Sequence, residues 1–323
     1  MWMWKRQAAF PKQRRSRSNA VPVGSANKKG VSRIAATVLL FSLSLGGVAV
    51  GRPPANPEQE AISDAFQPIL EAPGVTLFQQ GSDYVQAIDL SRGASVSFEF
   101  GPVVERRSGL GAYGGDDPEF ERQSLETAWR TLRDRDPAAF CMANGQFFRN
   151  DRNRATALAF PVKARGEFVS DGYAGESEFA DEKLILEVWP DRAAIVAFDP
   201  LEWRQNEAPE AIVGLTPTAE KSSAIAVGRT FAGIKDKDGD GTAETVLLLS
   251  SSKATQARAA EVLKEFGAIA VLMLDGGGST QLLCRDRHYL DSPRTVPQTI
   301  AVTAASKQTQ FFPRFRDGRS PAL

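Results

Sequence analysis

The residues best suited to chemistry lie in one short stretch, residues 275–280, which reads Asp-Gly-Gly-Gly-Ser-Thr. The seven residues before it, 268–274, are all apolar, which is typical of a strand buried on both faces. Three successive glycines leave backbone N–H groups uncovered, so the turn can bind an anion, and Asp275 adds a carboxylate. The alternative is a tight turn capped by Asp275. The predicted substrate-binding members of this turn are Gly276, Gly277, Gly278, Ser279 and Thr280.

A second apolar run, residues 138–143, also ends in a polar residue and a glycine, Asn144 and Gly145. The Asn144 amide can donate and accept hydrogen bonds, which suits a sugar hydroxyl or a phosphate oxygen. Arg229 and Thr230 follow a run of small residues, and a guanidinium can hold a phosphate or carboxylate by two parallel hydrogen bonds. The alternative for Arg229 is a surface salt bridge.

The amino-acid composition argues against several classes of function. The 323 residues include 39 basic and 39 acidic ones, so the net charge is zero, which argues against a nucleic-acid partner. The single histidine, His288, excludes a multi-histidine metal site, and no Gly-x-Ser-x-Gly motif accompanies it. We therefore expect carboxylates to perform any acid–base chemistry.

An acidic loop contains the one metal-like motif, with Asp236, Asp238 and Asp240 in the spacing that begins a calcium loop. The position that should supply a bidentate glutamate is Leu247, within an apolar strand pattern. The Asp-Gly pairs are typical of a hairpin turn. We predict a hairpin and no cofactor, with calcium as the alternative.

The N-terminus has the layout of an export signal. Residues 1–33 contain nine Lys or Arg and no acidic residue, and residues 34–51 contain no charge. This order predicts a signal peptide or an uncleaved membrane anchor, with the remainder periplasmic, extracellular or anchored outside the cytoplasm. Residues 52–69 are predicted to form a linker and residues 306–323 a polar tail.

Residues 70–305 are predicted to form one domain of mixed α/β (α+β) type, with largely antiparallel sheets and a few packed helices. Three strands between residues 75 and 100 are expected to form a meander, and a helix is expected over residues 119–135. Residues 250–252 should cap a second helix that ends at Gly267, which gives a βαβ-like unit with the apolar strand at 268–274.

Two cysteines flank the two polar motifs, Cys141 before Asn144 and Cys284 after Asp275. Both lie in apolar runs, and their different offsets from the motifs could direct them to opposite faces of a sheet. This pattern favours free buried thiols. A bridge is the alternative, which export would permit.

Taken in order, the motifs resemble those of the phosphodiester glycosidase family. The resemblance extends over residues 70–305 and rests on residues 144–148, Arg229-Thr230, a helix from Ser252, residues 274–280 and residues 294–298. The family strand ends in N-G-G-F-F, whereas Gln146 replaces the second glycine here, which predicts a narrowed or re-aimed pocket.

The resemblance implies hydrolysis of a sugar-1-phosphodiester, in an envelope or extracellular polysaccharide. Asp275, Asn144 and Arg229 would then be catalytic, and Gly145, Thr230 and Arg294 would join the glycine turn in binding substrate. The partner would be a carbohydrate phosphodiester, with a membrane partner only if the N-terminal segment remains as an anchor. The alternative is a non-catalytic exported protein that binds sugar or assists envelope assembly through the same pocket.

Overall fold

The computed structural model describes residues 65–151 and 153–306, all of which fall within one compact unit. The described residues form two α-helices and nineteen strands. The helices are α1 (Leu125–Arg135) and α2 (Gln256–Glu265). The strands are β1 (Gln67–Ala72), β2 (Val75–Gln80), β3 (Asp83–Asp89), β4 (Ser95–Phe100), β5 (Val103–Glu105), β6 (Glu119–Glu121), β7 (Ala139–Asn144), β8 (Ala155–Ala157), β9 (Val162–Ala164), β10 (Glu167–Ser170), β11 (Lys183–Val188), β12 (Ala193–Ala197), β13 (Glu210–Leu215), β14 (Val227–Lys235), β15 (Thr245–Ala254), β16 (Ala270–Met273), β17 (Leu282–Cys284), β18 (Arg287–Leu290) and β19 (Gln298–Thr303).

The strands form three sheets in which every hydrogen-bonded pair is antiparallel. The large sheet has the order β1-β2-β3-β15-β14-β16-β13-β11-β12, with β9 joined to β13 and β10 to β9. The five-stranded sheet has the order β18-β17-β7-β19-β4, and a small sheet has the order β5-β6-β8. The prediction of largely antiparallel sheets is confirmed. The expected balance of helix and strand is corrected, because the fold is predominantly β.

The core fills both faces of the two main sheets. Along β15, Leu248 packs in the cluster shared with Phe98 and Ile300 of the five-stranded sheet. Leu247, the next residue, points to the other face and packs with Leu263 of α2. A third cluster joins α1 to the outer face of the five-stranded sheet. The apolar runs of the sequence therefore reflect strands that are covered on two sides.

The βαβ-like unit is present, but β14 lies between its two strands, β15 and β16, in the sheet. Strands β15 and β16 each pair antiparallel with β14, so they run parallel to one another on its two sides, and α2 makes the crossover. Helix α2 begins later than predicted because β15 continues to Ala254. Thr255 is the N-cap, and its hydroxyl accepts a hydrogen bond from the Arg258 N–H at 3.1 Å.

Two other predicted elements differ in the structure. Helix α1 begins at Leu125, after the Ser124 cap, and residues 119–121 form β6 instead. Strands β2 and β3 form the expected hairpin, but β4 pairs with β19 in the other sheet. A 3₁₀ turn at Leu90–Arg92, closed by Gly93 at φ 83°, separates β3 from β4.

The two cysteines form a disulfide, which corrects the preference for free thiols. In the pairing of β7 with β17, Cys141 lies directly opposite Cys284, with a Cα–Cα distance of 4.0 Å. Residues directly opposite one another on paired strands point to the same face of the sheet. The prediction was wrong because the distances of the cysteines from their motifs along the chain do not determine the register in which β7 and β17 pair.

No helix in residues 65–151 and 153–306 is long and apolar enough to cross a membrane. The predicted signal or anchor at residues 34–51, most of the linker at 52–69 and nearly all of the tail at 306–323 lie outside the described residues.

Candidate active site

The two main sheets meet where Asn144 ends β7, and there it contacts Thr230 within β14 and Asp275 just beyond β16. Asn144 is 1% exposed, and its Nδ2 donates to the backbone oxygen of Asp275 at 2.6 Å. Its Oδ1 accepts from Thr230 Oγ1 at 2.8 Å and from the N–H of Gln281 at 3.1 Å. The amide therefore holds the motifs to one another, and the structure places the ends of the two apolar strands side by side.

Asp275 lies just beyond β16 and is partly exposed. Its backbone N–H donates to the backbone oxygen of Gly145 at 3.0 Å. Position 145 leaves no room for a side chain, because a Cβ there would lie 2.0 Å from Gln298 Oε1. The Asp275 carboxyl has a raised pKa because burial disfavours its charged form. Ser279, Arg294, Lys221 and the Gly276 N–H oppose that shift in pKa.

The glycine turn is a short 3₁₀ segment, Gly277–Ser279. Gly277 has φ 62°, which a side chain would disfavour, and a Cβ on Gly276 would lie 2.7 Å from the backbone oxygen of Gly228. The turn is closed by two backbone hydrogen bonds: the Ser279 N–H donates to the oxygen of Gly276, and the Thr280 N–H donates to the oxygen of Gly277. Gly277 and Gly278 are exposed, so their backbone can be approached from solvent.

Arg229 does not face this turn with a free guanidinium. It is 4% exposed, and its Nε donates to Ala254 O at 3.2 Å. Its Nη1 donates to Lys221 O at 3.0 Å and Gln256 Oε1 at 3.5 Å. Its Nη2 donates to Ser222 O at 2.7 Å and Ile225 O at 3.0 Å. All five N–H groups thus have acceptors in the protein, and the phosphate contact predicted for Arg229 finds no free donor.

Arg294 is the predicted cation that does lie beside Asp275. Its guanidinium stacks 5.0 Å from the ring centre of Phe148 and donates from Nη2 to Asn150 Oδ1 at 3.0 Å. It lies close to Gly278, because a Cβ there would be 4.0 Å from Arg294 Nη1. A neutral amide is a weak partner for a full charge, so Arg294 can still bind an anion at the glycine turn.

The prediction did not include Tyr173 and Lys221, which lie near Asp275, or Arg149, which stacks on Tyr173. Tyr173 has its pKa raised to about 12, chiefly by burial, and the charge of Asp275 contributes. Arg149 stacks 4.5 Å from the Tyr173 ring centre. Lys221 lies close enough for its charge to lower the pKa of Asp275. Arg149 directly follows the Phe147-Phe148 pair and could have been found there, whereas Lys221 and Tyr173 lie in loops without a motif.

The model of the phosphodiester glycosidase family matches residues 120–303, which is more than half of the chain. The chain belongs to the phosphodiester glycosidase family.

Three solved structures are similar to this chain. The zebrafish N-acetylglucosamine-1-phosphodiester alpha-N-acetylglucosaminidase catalytic domain, auto-inhibited by its pro-peptide, is 14% identical, with 75% of this chain and 82% of that chain covered and a TM-score of 0.42. A hypothetical protein from Synechocystis is 12% identical, with coverage of 74% and 61% and a TM-score of 0.44. A putative exported protein from Burkholderia pseudomallei is 14% identical, with coverage of 71% and 74% and a TM-score of 0.39. The sequence matches no curated protein.

Gln146, which replaces a glycine of the family motif, points into the core. It is 1% exposed, and its Nε2 donates to Val213 O of β13 at 2.7 Å while its Oε1 accepts from the Phe147 N–H at 2.8 Å. Its own N–H donates to Gln298 Oε1 at 2.6 Å. These bonds tie the end of β7 to the large sheet, so the Gln146 side chain is engaged with the core, and the narrowed or re-aimed pocket stays a prediction.

The acidic loop is the predicted hairpin turn, between β14 and β15. Asp236, Asp238, Asp240 and Glu244 can bring ligand oxygens within 4.8 Å of one another, and Leu247 lies in β15. These carboxylates are hard oxygen ligands of the kind that calcium prefers. The loop follows Lys235, at the other end of β14 from Thr230, so it is separate from the site around Asp275.

Proposed function

We propose that this protein hydrolyses a glycosyl phosphodiester, the bond between the anomeric carbon of a sugar and a phosphate. The observation that carries the proposal is the setting of Asp275. One carboxylate at a strand end is flanked by the cations of Lys221 and Arg294 and by the exposed glycine turn. Such a site matches a substrate with an electrophilic carbon next to a negative charge.

In this proposal the Asp275 carboxylate acts at the anomeric carbon. The oxygen of a water molecule forms a bond to this carbon, the bond from the carbon to the phosphate oxygen breaks, and the water loses a proton to solvent. The leaving group is a phosphate ester that gains charge as it departs. Cations and backbone N–H groups stabilise this charge in the transition state. Tyr173 stays protonated at neutral pH, since its pKa is about 12, and can donate a hydrogen bond to the substrate.

We further propose that the protein is exported and acts on an envelope or extracellular polysaccharide. The basic segment followed by an uncharged apolar run at residues 1–51 supports export. The bridge between Cys141 and Cys284 also supports it, because disulfides persist in oxidising compartments.

The test is a panel of synthetic sugar-1-phosphate diesters, from N-acetylglucosamine compounds to envelope polymers, with release of free sugar as the readout. We expect turnover by the native protein and none by Asp275→Asn, which is nearly isosteric and should melt within a few degrees of it. Hydrolysis retained by a folded Asp275→Asn variant would remove Asp275 from the mechanism. Binding of diesters without turnover would instead identify a non-catalytic sugar-binding or envelope-assembly protein.

A further inference from the structure

The segment between β13 and β14, residues 216–226, forms a loop that we call the Lys221 loop. Two buried side chains from outside the loop, Arg229 and Gln256, hold its backbone in place. Arg229 donates to the carbonyl oxygens of Lys221, Ser222 and Ile225, and Gln256 Nε2 donates to those of Pro217 and Ala219, both at 2.8 Å. Five loop carbonyls are therefore held by two side chains that are 4% and 1% exposed.

The backbone next to Lys221 is in an unfavourable conformation. Ser222 has φ 58°, in the left-handed region that residues with a Cβ seldom adopt. Its carbonyl oxygen accepts the shortest of the Arg229 hydrogen bonds, at 2.7 Å. Strained backbone persists only where surrounding contacts enforce it, and such positions gather at functional sites. The contacts of Arg229 thus enforce one direction for the chain at Lys221.

The Lys221 ammonium is held over two aromatic rings, 5.1 Å from the ring centre of Phe147 and 5.3 Å from that of Phe179. Lys221 is half-buried, and it makes no ion pair with any residue in 65–151 or 153–306. Burial lowers the pKa of this lysine, whereas the charge of Asp275 raises it. The cation–π contacts with the two rings offset part of the desolvation cost of the ammonium. An anion bound beside the Lys221 ammonium would supply a close ion-pair partner in addition to the charge of Asp275.

We propose that Lys221 binds the anionic phosphate of the substrate beside Asp275, and that Arg229 is a positioning residue that acts through the Lys221 loop. This inference rests on the proposed function for the identity of the substrate. It reassigns the phosphate contact from the guanidinium of Arg229 to the ammonium of Lys221. It also explains why an arginine with five internal acceptors lies so close to the site.

The first test measures anion binding without turnover, by titrating inorganic phosphate and a sugar-1-phosphate into the full chain by calorimetry. We expect Lys221→Met to weaken both by at least tenfold, and Lys221→Arg to recover part of the loss. The matched control is Lys264→Met, an exposed lysine on α2, which should bind as the native protein does. Unchanged binding in a folded Lys221→Met variant would show that this lysine only packs on its two rings.

The second test is a double-mutant cycle with Arg229→Lys, which keeps the charge but loses the five-donor fork. If Arg229 acts through Lys221, the double variant should bind phosphate no more weakly than Lys221→Met alone. Additive losses would overturn the positioning role and indicate direct contact. If Arg229→Lys does not fold, Gln256→Ala takes its place, because it frees the base of the same loop. Trypsin gives an independent readout, since release of the loop should permit cleavage after Lys221.

These outcomes separate the inference from the proposed function. Phosphate binding that depends on Lys221 without hydrolysis of any diester would reject the enzyme and keep the anion site. Hydrolysis that is indifferent to Lys221→Met, with unchanged KM, would keep the enzyme and reject the inference.

Discussion

The Nδ2 of Asn144 donates a hydrogen bond of 2.6 Å to the backbone carbonyl of Asp275, across the junction of the two main sheets. The two residues are 131 positions apart in the chain, yet this bond fixes where the carboxylate leaves its strand. The same amide oxygen accepts from Thr230 and Gln281. The Asn144 side chain therefore holds the three motifs in place through its hydrogen bonds.

We predict that Asn144→Ala lowers both stability and activity. It removes the three hydrogen bonds of the Asn144 amide, two buried and one partly buried, and leaves their partners unpaired, which should cost roughly 3 kcal/mol of the free energy of unfolding. Thr230→Val removes one of these bonds and keeps the side-chain shape, so about 1 kcal/mol is expected. Urea unfolding of both variants measures the difference. Equal, small losses would mean that the amide network is not a main support of this junction.

The positions of Asn144 and Asp275 could be read from the sequence because each follows an apolar strand, and a polar residue at that place has few other roles. The partners of Arg229 could not be read in this way. They are backbone carbonyls of a loop without a motif, so nothing in the residue types distinguishes an arginine that binds phosphate from one that holds a loop. Lys221 could not be identified from the sequence either, because it lies in the same loop without a motif.

The strands were largely predictable from local pattern, but their assignment to sheets was not. The alternation that marks β4 is the same whether it pairs with β3 or with β19, some 200 residues later. The disulfide shows the same limit. Cys141 and Cys284 are opposite one another only because β7 and β17 pair in one register, and a shift by one residue would separate them.

The pH dependence of catalysis should depend on Arg294. Its positive charge lowers the pKa of Asp275, which burial raises. Activity that needs the ionised carboxylate is present above the pKa of the folded protein and is lost as the pH falls through it. Removing the charge with Arg294→Gln should therefore move the acidic limb of the kcat/KM profile to higher pH. The matched control is Arg287→Gln, which removes an exposed arginine that stacks on Tyr289. An acidic limb at the same pH in all three proteins would contradict the role given to Arg294.

Chelation should leave hydrolysis unchanged. The carboxylates that could hold a cation follow Lys235, and Lys235 lies five positions beyond Thr230 along an extended strand, a distance of about 17 Å. The expected result is the same kcat/KM with EDTA, with added calcium, and in the double variant Asp236→Asn, Asp240→Asn. A loss of activity that calcium restores in the native protein, and that the double variant reproduces, would make the loop part of the working enzyme.

Stability should fall with rising pH because of Glu210, a buried carboxyl on β13. It accepts hydrogen bonds from the N–H groups of Phe98 at 3.0 Å and Arg165 at 2.9 Å, and so joins the large sheet to β4. Burial raises its pKa from 4.5 to about 7, against the lowering effect of those two bonds. The folded protein therefore holds this proton more tightly than the unfolded chain does. The resulting contribution to stability is full below pH 4.5, is lost as the pH rises towards 7, and changes no further above it.

The size of this effect follows from the pKa difference, because one unit is worth about 1.4 kcal/mol. Between pH 4.5 and 7 the contribution of Glu210 should fall by roughly 3 kcal/mol. Glu210→Gln keeps the shape but cannot ionise, so its free energy of unfolding should depend less on pH over this range than that of the native protein. The exposed Glu202→Gln is the control for general charge effects. Urea titrations at pH 5, 6, 7 and 8 decide the matter: parallel curves for the native and Glu210→Gln proteins would mean that Glu210 is ionised throughout, stabilised by its two backbone donors.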